Sequence, residues 1–145
     1  MTLRKSLIFF IILIVGLFLL RYLNDTIQKE SNENDISTEA ELYVTSADLV
    51  ASFLSNEEQA NAMYVEKTIE VEGIVKEVTF LNNRYTVLLQ GSGEYMCIMC
   101  DMKEDQVVQA QTLSRGDSVV LKGICKGFLM DAILLNCVLV KKTNE

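Results

Sequence analysis

Apolar positions change period three times along the chain, and each change predicts a different kind of element. Residues 6–20 (SLIFFIILIVGLFLL) are fifteen in a row without a charge, bounded by Arg4 and Lys5 before and Arg21 after. Asn24 to Glu41 (NDTIQKESNENDISTEAE) shows no apolar period at all. From Tyr43, TSADLVASFLSNEEQANAMY places Leu49, Val50, Phe53, Leu54, Ala60 and Tyr64 at helical spacing. Thr45 is the expected N-cap, with Asp48 in the first turn. The pattern predicts one helix of about five turns, its apolar stripe packed on the remainder of the domain.

After Tyr64 the apolar positions alternate with a period of two. KTIEVEGIVKEVTF sets Ile69, Val71, Gly73 and Val75 against Glu70, Glu72 and Lys76, the pattern of a half-buried strand. Gly73 in mid-run is where a bulge or bend is expected. LNNR has turn chemistry, and YTVLLQ is the second strand. GSG turns the chain into a third strand, EYMCIMCDM. MKEDQVVQAQTLSRGD suits a short helix and loop. SVVLKGICKGF and AILLNCVLVKK are the fourth and fifth strands, joined through FLMD. The expected fold is mainly β. It is a five-stranded Greek-key barrel with a packed N-terminal helix and a short helix between the third and fourth strands, which is the order of the OB fold.

Residues in three stretches also resemble a known family. Asn56, Glu57, Ala60 and Tyr64 in the helix, Lys67 and Gly73 in the first strand, and Gly116, Gly123, Cys125, Gly127, Asp131 and Cys137 near the end are similar to the tRNA_anti-like OB-fold domains. The likeness runs from about Tyr43 to Val140. It implies the fold and supplies no catalytic or tRNA-binding residue.

The N-terminal run sets the expected address. Fifteen helical residues fall short of the ~30 Å hydrocarbon core, but flanking Arg and Lys snorkel, and Tyr22 and Leu23 extend the span to the interface. No small-x-small cleavage site comes after the run, and no Cys near its end is placed to take a lipid, so an uncleaved anchor over 1–23 is expected. A cleaved signal peptide is the alternative, and it would release the rest as a soluble protein. Arg4, Lys5 and the α-amino group outweigh Arg21, which keeps the N-terminus cytoplasmic and exports the remainder. The expectation is a single-pass protein of a bacterial cytoplasmic (inner) membrane. Residues 24–42 are then a tether, with six carboxylates against Lys29 alone, and 43–145 are the OB domain.

Composition narrows the chemistry. The chain has no His, which removes the commonest general base and metal ligand. No paired carboxylates and no phosphate loop stand out, so no enzyme, cofactor or metal is expected. From Tyr43 onward fourteen acidic residues face nine basic ones, a poor balance for nucleic acid, which needs a basic stripe interleaved with aromatics. Arg84, Tyr85, Tyr95, Lys126 and Phe128 are the candidate ligand-binding residues, on a binding or interaction module for a protein or an envelope glycan. An oligonucleotide-binding OB domain is one alternative.

The four cysteines leave several readings open. If the last hairpin turns at Asp131, Cys125 and Cys137 lie opposite each other at ~4.5–5.5 Å, within disulfide reach, for a gain of about 3 kcal/mol. Two buried free thiols are the other reading. Cys97 and Cys100, three apart in a strand, point to opposite faces, although a thiol-disulfide protein using this pair is a further alternative. Cys97 could instead approach Cys137, because the third and fifth strands are neighbours in this topology.

Overall fold

The computed structural model describes residues 13–19, 39–93 and 95–143. Residues 13–19 are helical, and no helix among the described residues is long and apolar enough to cross a membrane. The rest of the expected anchor, and residues 24–38 of the expected tether, lie outside the described residues. The chain divides into two units, Met1–Asp35 and Ile36–Glu145, and the second contains the sheet.

Six strands make that sheet: β1 (Leu42–Thr45), β2 (Thr68–Leu81), β3 (Arg84–Gln90), β4 (Cys97–Met102), β5 (Ser118–Phe128) and β6 (Ala132–Thr143). They are ordered β1-β2-β3-β4-β6-β5, and β2 also pairs with β5. That last pairing closes β2 to β6 into a five-stranded ring, the expected OB barrel. All its pairings are antiparallel except β4 with β6. The β2–β3 turn uses Asn82 and Asn83 at φ 52° and 64°. A tight hairpin turn requires that left-handed backbone, and Asn adopts it at low cost. The short helix expected between the third and fourth barrel strands is present as a 3₁₀ turn, Glu104–Gln106, running into α3 (Val107–Gln111).

Three expectations change. β1 is an addition to the five expected strands. It pairs in parallel with β2, Leu42 opposite Ile69 through Thr45 opposite Glu72, so Leu42, the last residue of the segment read as tether, belongs to the sheet. Four residues, of which Leu42 and Val44 pack against the core, are too few to show a period. The single five-turn helix is in fact two, α1 (Ser46–Ser55) and α2 (Glu57–Tyr64). Asn56 between them is extended, at φ −157°, and its side-chain oxygen accepts the Gln59 N–H at 3.0 Å. It ends one helix and caps the next, the role for which a short polar side chain is suited. Thr45 caps α1 as expected, its Oγ1 accepting the Asp48 N–H at 3.1 Å.

The third change concerns Gly73. Its pairing with Val119 is regular, and the bulge lies further on, where Lys76 is the extra residue between the pairs Val75–Leu89 and Glu77–Leu88. Gly73 serves a close approach instead. A Cβ there would sit 2.7 Å from Ser46 Oγ and 2.9 Å from Ser46 Cβ, so the missing side chain lets the start of α1 rest on the barrel. Leu49, Val50 and Phe53 of α1 then join Ile69, Val71, Val87, Leu89 and Leu121 in one core. Phe53 contacts Tyr64 of α2 at 6.1 Å between ring centroids and stacks on Phe128 of β5 at 5.3 Å.

The far end of β6 is held by charge. Asp117, just before β5, accepts from Lys142 Nζ at 2.8 Å and from the Ser114 N–H at 2.7 Å. Both bonds favour the carboxylate, Lys142 the more strongly, and hold its pKa below the ordinary 3.8.

Two outcomes test this layout. Gly73→Ala should lower stability by about 1–3 kcal/mol, read as a lower urea midpoint with an unchanged slope; wild-type stability would refute the close approach. A carboxyl whose folded pKa is depressed contributes stability above its unfolded pKa and loses it as pH falls through the folded one. Asp117→Asn should therefore flatten the acid limb of the stability profile below about pH 4, and an acid limb parallel to wild type would show that Asp117 is not coupled to folding.

Candidate functional site

The bulge in β2 re-aims Lys76 and places it beside the β3–β4 loop. The loop closes on itself through the Gly91 N–H bonding to Met96 O at 3.0 Å. Lys76, Gln90, Gly91, Tyr95, Met96 and Arg115 line an open cleft of about 500 Å³ here. Arg115 reaches it from the turn before β5, tied to β2 by the Gly116 N–H bonding to Val75 O at 2.8 Å. Lys76 Nζ donates to Cys97 Sγ at 3.3 Å. The cleft therefore presents two cations and a phenol on a domain whose overall charge is negative.

A second loop is bound to the same end of the barrel. Asp131, at the turn between β5 and β6, accepts the Cys97 N–H through Oδ1 at 2.7 Å, and its carbonyl accepts the Leu129 N–H at 3.2 Å. This fixes the β5–β6 turn to the start of β4. The three most exposed large apolar side chains of the domain's described residues are on these two joined loops: Tyr95 at 84 %, Leu129 at 83 % and Met130 at 82 %. Lone exposed apolar residues are ordinary, whereas a group on one end of a small domain is informative.

The five candidate ligand residues do not form one face. Arg84, at the start of β3, pairs with Asp101 at 2.6 Å and borders a separate hollow of about 480 Å³ with Lys103, Glu104, Asp105 and Asn136. Tyr85 packs against Phe80 at 4.6 Å, and its hydroxyl accepts from Gln111 Nε2 at 3.1 Å. Lys126 pairs with Glu66 at 2.7 Å. Phe128 is the ring stacked on Phe53, part of the domain's own packing. Tyr95 alone lines the cleft with cations. Lys76, Arg115, Leu129 and Met130 carry no such mark in the sequence, because Lys76 fits the regular alternation of β2 and the other three lie in turns. The one available signal is LM, two large apolar residues in a hairpin turn where polar ones are usual.

The cysteines are all buried free thiols. Cys125 and Cys137 are not opposite each other. Register shifts in the β5–β6 hairpin bring Cys125 against Leu134 instead, a slip that counting from Asp131 does not capture. Asn136 at φ 54° and Gly127 at φ 126° lie at the two of these shifts nearest the turn. Cys97 and Cys100 part as expected. Cys100 is in the core, and Cys97 is outside that cluster against Lys76. Among the described residues no group of His, Cys, Asp or Glu is placed to hold a metal ion.

Comparison with solved structures confirms the architecture. A lipoprotein from Klebsiella pneumoniae, described as a candidate nucleic acid-binding protein, is similar with a TM-score of 0.54 at 17 % identity, over 67 % of this chain and 91 % of that one. The OBody AM3L09, solved bound to hen egg-white lysozyme, has a TM-score of 0.43 at 16 % identity, over 56 % and 88 %. The S. pombe Stn1–Ten1 complex gives 0.41 at 12 %, over 51 % and 58 %. At 17 % identity the likeness to the Klebsiella protein is one of fold. A comparison with curated proteins returned no match. The tRNA_anti-like family profile matches residues 1–139, and the chain belongs to that family of OB-fold domains.

Proposed function

We propose that this protein is a membrane-tethered binding module of the bacterial envelope, without enzymatic activity, that docks a partner protein on the barrel end built from the Tyr95 and Asp131 loops. The exposure of Tyr95, Leu129 and Met130 on two loops joined by the Cys97–Asp131 bond carries this reading. An aromatic and two flexible apolar side chains suit the centre of a protein contact. The adjoining cleft, with Lys76 and Arg115, suits a carboxylate of the same partner. The apolar run at residues 6–20 supports the anchor, and the positive charges before it support export of the domain.

The description of the Klebsiella relative makes oligonucleotide binding the competing reading. The distribution of cations favours a protein. Arg84, Lys103, Lys126 and Lys142 are each paired with a carboxylate, so they do not form the open basic stripe that a phosphate backbone requires.

The test is a photo-cross-linking amino acid placed at position 95 or 130 of the full-length chain in its own host. A discrete adduct with one protein is expected from both positions. Lys76→Glu with Arg115→Glu should lower its yield about tenfold, the effect of losing ~1.4 kcal/mol of binding. Proteolysis of spheroplasts should cut the domain from outside. No adduct at either position, together with binding of labelled single-stranded oligonucleotides that weakens steeply with salt, would overturn the docking surface. A domain protected from protease would overturn the address.

A further inference from the structure

Beside the two docking loops, the outer face of the sheet carries an apolar row. Val87 and Leu89 of β3, Ile98 and Cys100 of β4, and Ala132 and Leu134 of β6 are buried in the core. Side chains alternate along a strand, so Leu88, Met99 and Ile133, each between two of these, belong to the outer face. The register sets them abreast, Leu88 opposite Met99 and Met99 opposite Ile133. Met99 is exposed and the other two are half-buried. With strands ~4.8 Å apart, the row is about 10 Å long and runs across them.

The two ends of the row differ. On β5 the next position is Gly127, opposite Ile133, which puts no side chain in the way. On β2 the next position is Glu77, opposite Leu88, with the bulge residue Lys76 beside it. Lys76 and Arg115 line the cleft at this end, so the balance with Glu77 is positive. Tyr95 precedes β4 by two residues, and Leu129 and Met130 are in the turn before β6. The exposed loops therefore border the row where β4 and β6 begin.

The ladder beneath the row limits its occupant. β3, β4 and β6 are each paired on both sides, so a partner cannot add a strand here and must satisfy its own backbone. A helix does so. One helical turn advances about 5.4 Å, close to the strand spacing. Residues at i, i+3 or i+4, and i+7 lie on one face and span ~10 Å. Three apolar residues at that spacing match Leu88, Met99 and Ile133 one for one.

We infer that the partner presents an amphipathic α-helix, laid across β3, β4 and β6 with three apolar residues on Leu88, Met99 and Ile133, and with a carboxylate one turn further on at Lys76 and Arg115. The inference rests on the docking reading above and names the element that the partner brings to it. The positive end fixes which way the helix lies, with its acidic residue over β2 and its uncharged end passing over Gly127. Leu129 and Met130 stand at its side, and the flexible Met side chain adapts to the helix surface.

The test extends the cross-linking to the row. A photo-cross-linking amino acid at position 88, 99 or 133 of the full-length chain in its own host should capture the same protein that position 95 captures. Fragment sequencing of the three adducts should place the linked residues in one segment of that protein, in the order 88, 99, 133, and three or four residues apart at each step. Met99→Glu, with the cross-linker at 95, should cut the adduct about tenfold, because a charge replaces an apolar contact. The urea midpoint should stay at its wild-type value, since Met99 is on the outer face. Linked residues two apart, the spacing of an extended segment, would overturn the helix, as would links scattered over distant parts of the partner. An adduct from 95 with none from 88, 99 or 133 would overturn the row and leave the loops as the docking surface. No adduct from any position, 95 and 130 included, would remove both.

Discussion

Within the barrel ring, β2 is shared between two partners. Thr68–Ile74 pair with β5, and from Val75 on the strand pairs with β3, so the ring closes only because one strand serves both sides. A flat strand cannot do this. The extra residue at Lys76 increases the local twist, as bulges do, and the bare Cα of Gly73 lets α1 approach the strand just before it. Core, helix packing and loop positions depend on that bend. Lys76 itself is turned toward the β3–β4 loop by it, so the residue that shapes the barrel is also the one that lines the cleft.

Four of the domain's basic side chains are used in ion pairs with its own carboxylates. The Lys142–Asp117 and Lys126–Glu66 pairs join segments far apart in the chain. Exposed pairs of this kind contribute little stability individually, yet they remove cations from the surface available to a polyanion. The end that carries the most exposed apolar side chains among the domain's described residues is also the end where two loops are cross-linked by a part-buried hydrogen bond, Cys97 to Asp131. A rigid apolar platform loses less conformational entropy on binding than two independent loops would.

Periodicity carried most of the fold. The alternation of β2 and the 118–128 and 132–142 runs were legible because each strand has one buried face, and that forces a period of two. The break at Asn56 was not legible. The apolar stripe of α1 and α2 continues across it, and an Asn within a stripe is as compatible with a solvated helical position as with a cap. The site was largely hidden for a different reason. Tyr95 could be named from the sequence, but its partners Lys76, Arg115, Leu129 and Met130 come from a bulge and two turns, whose meeting depends on barrel closure. The cysteine pairing failed for the same cause. Counting residues from a turn assumes a ladder without shifts, and the β5–β6 hairpin has three.

The long reach of the β2–β5 pairing has a consequence for how the molecule is made. Thr68 pairs with Ile124, so the first barrel strand must wait for a segment synthesised more than fifty residues later. Until then its backbone donors and acceptors along that edge have no partner, and an unpaired edge invites pairing with other chains. The antiparallel β2–β3 and β5–β6 hairpins are local and can form quickly, whereas closing the ring requires a distant contact, the slow event in folding. A chain that emerges N-terminus first therefore passes through a half-barrel with an open seam, and the interval before Ile124 arrives is when it is most exposed to misassembly.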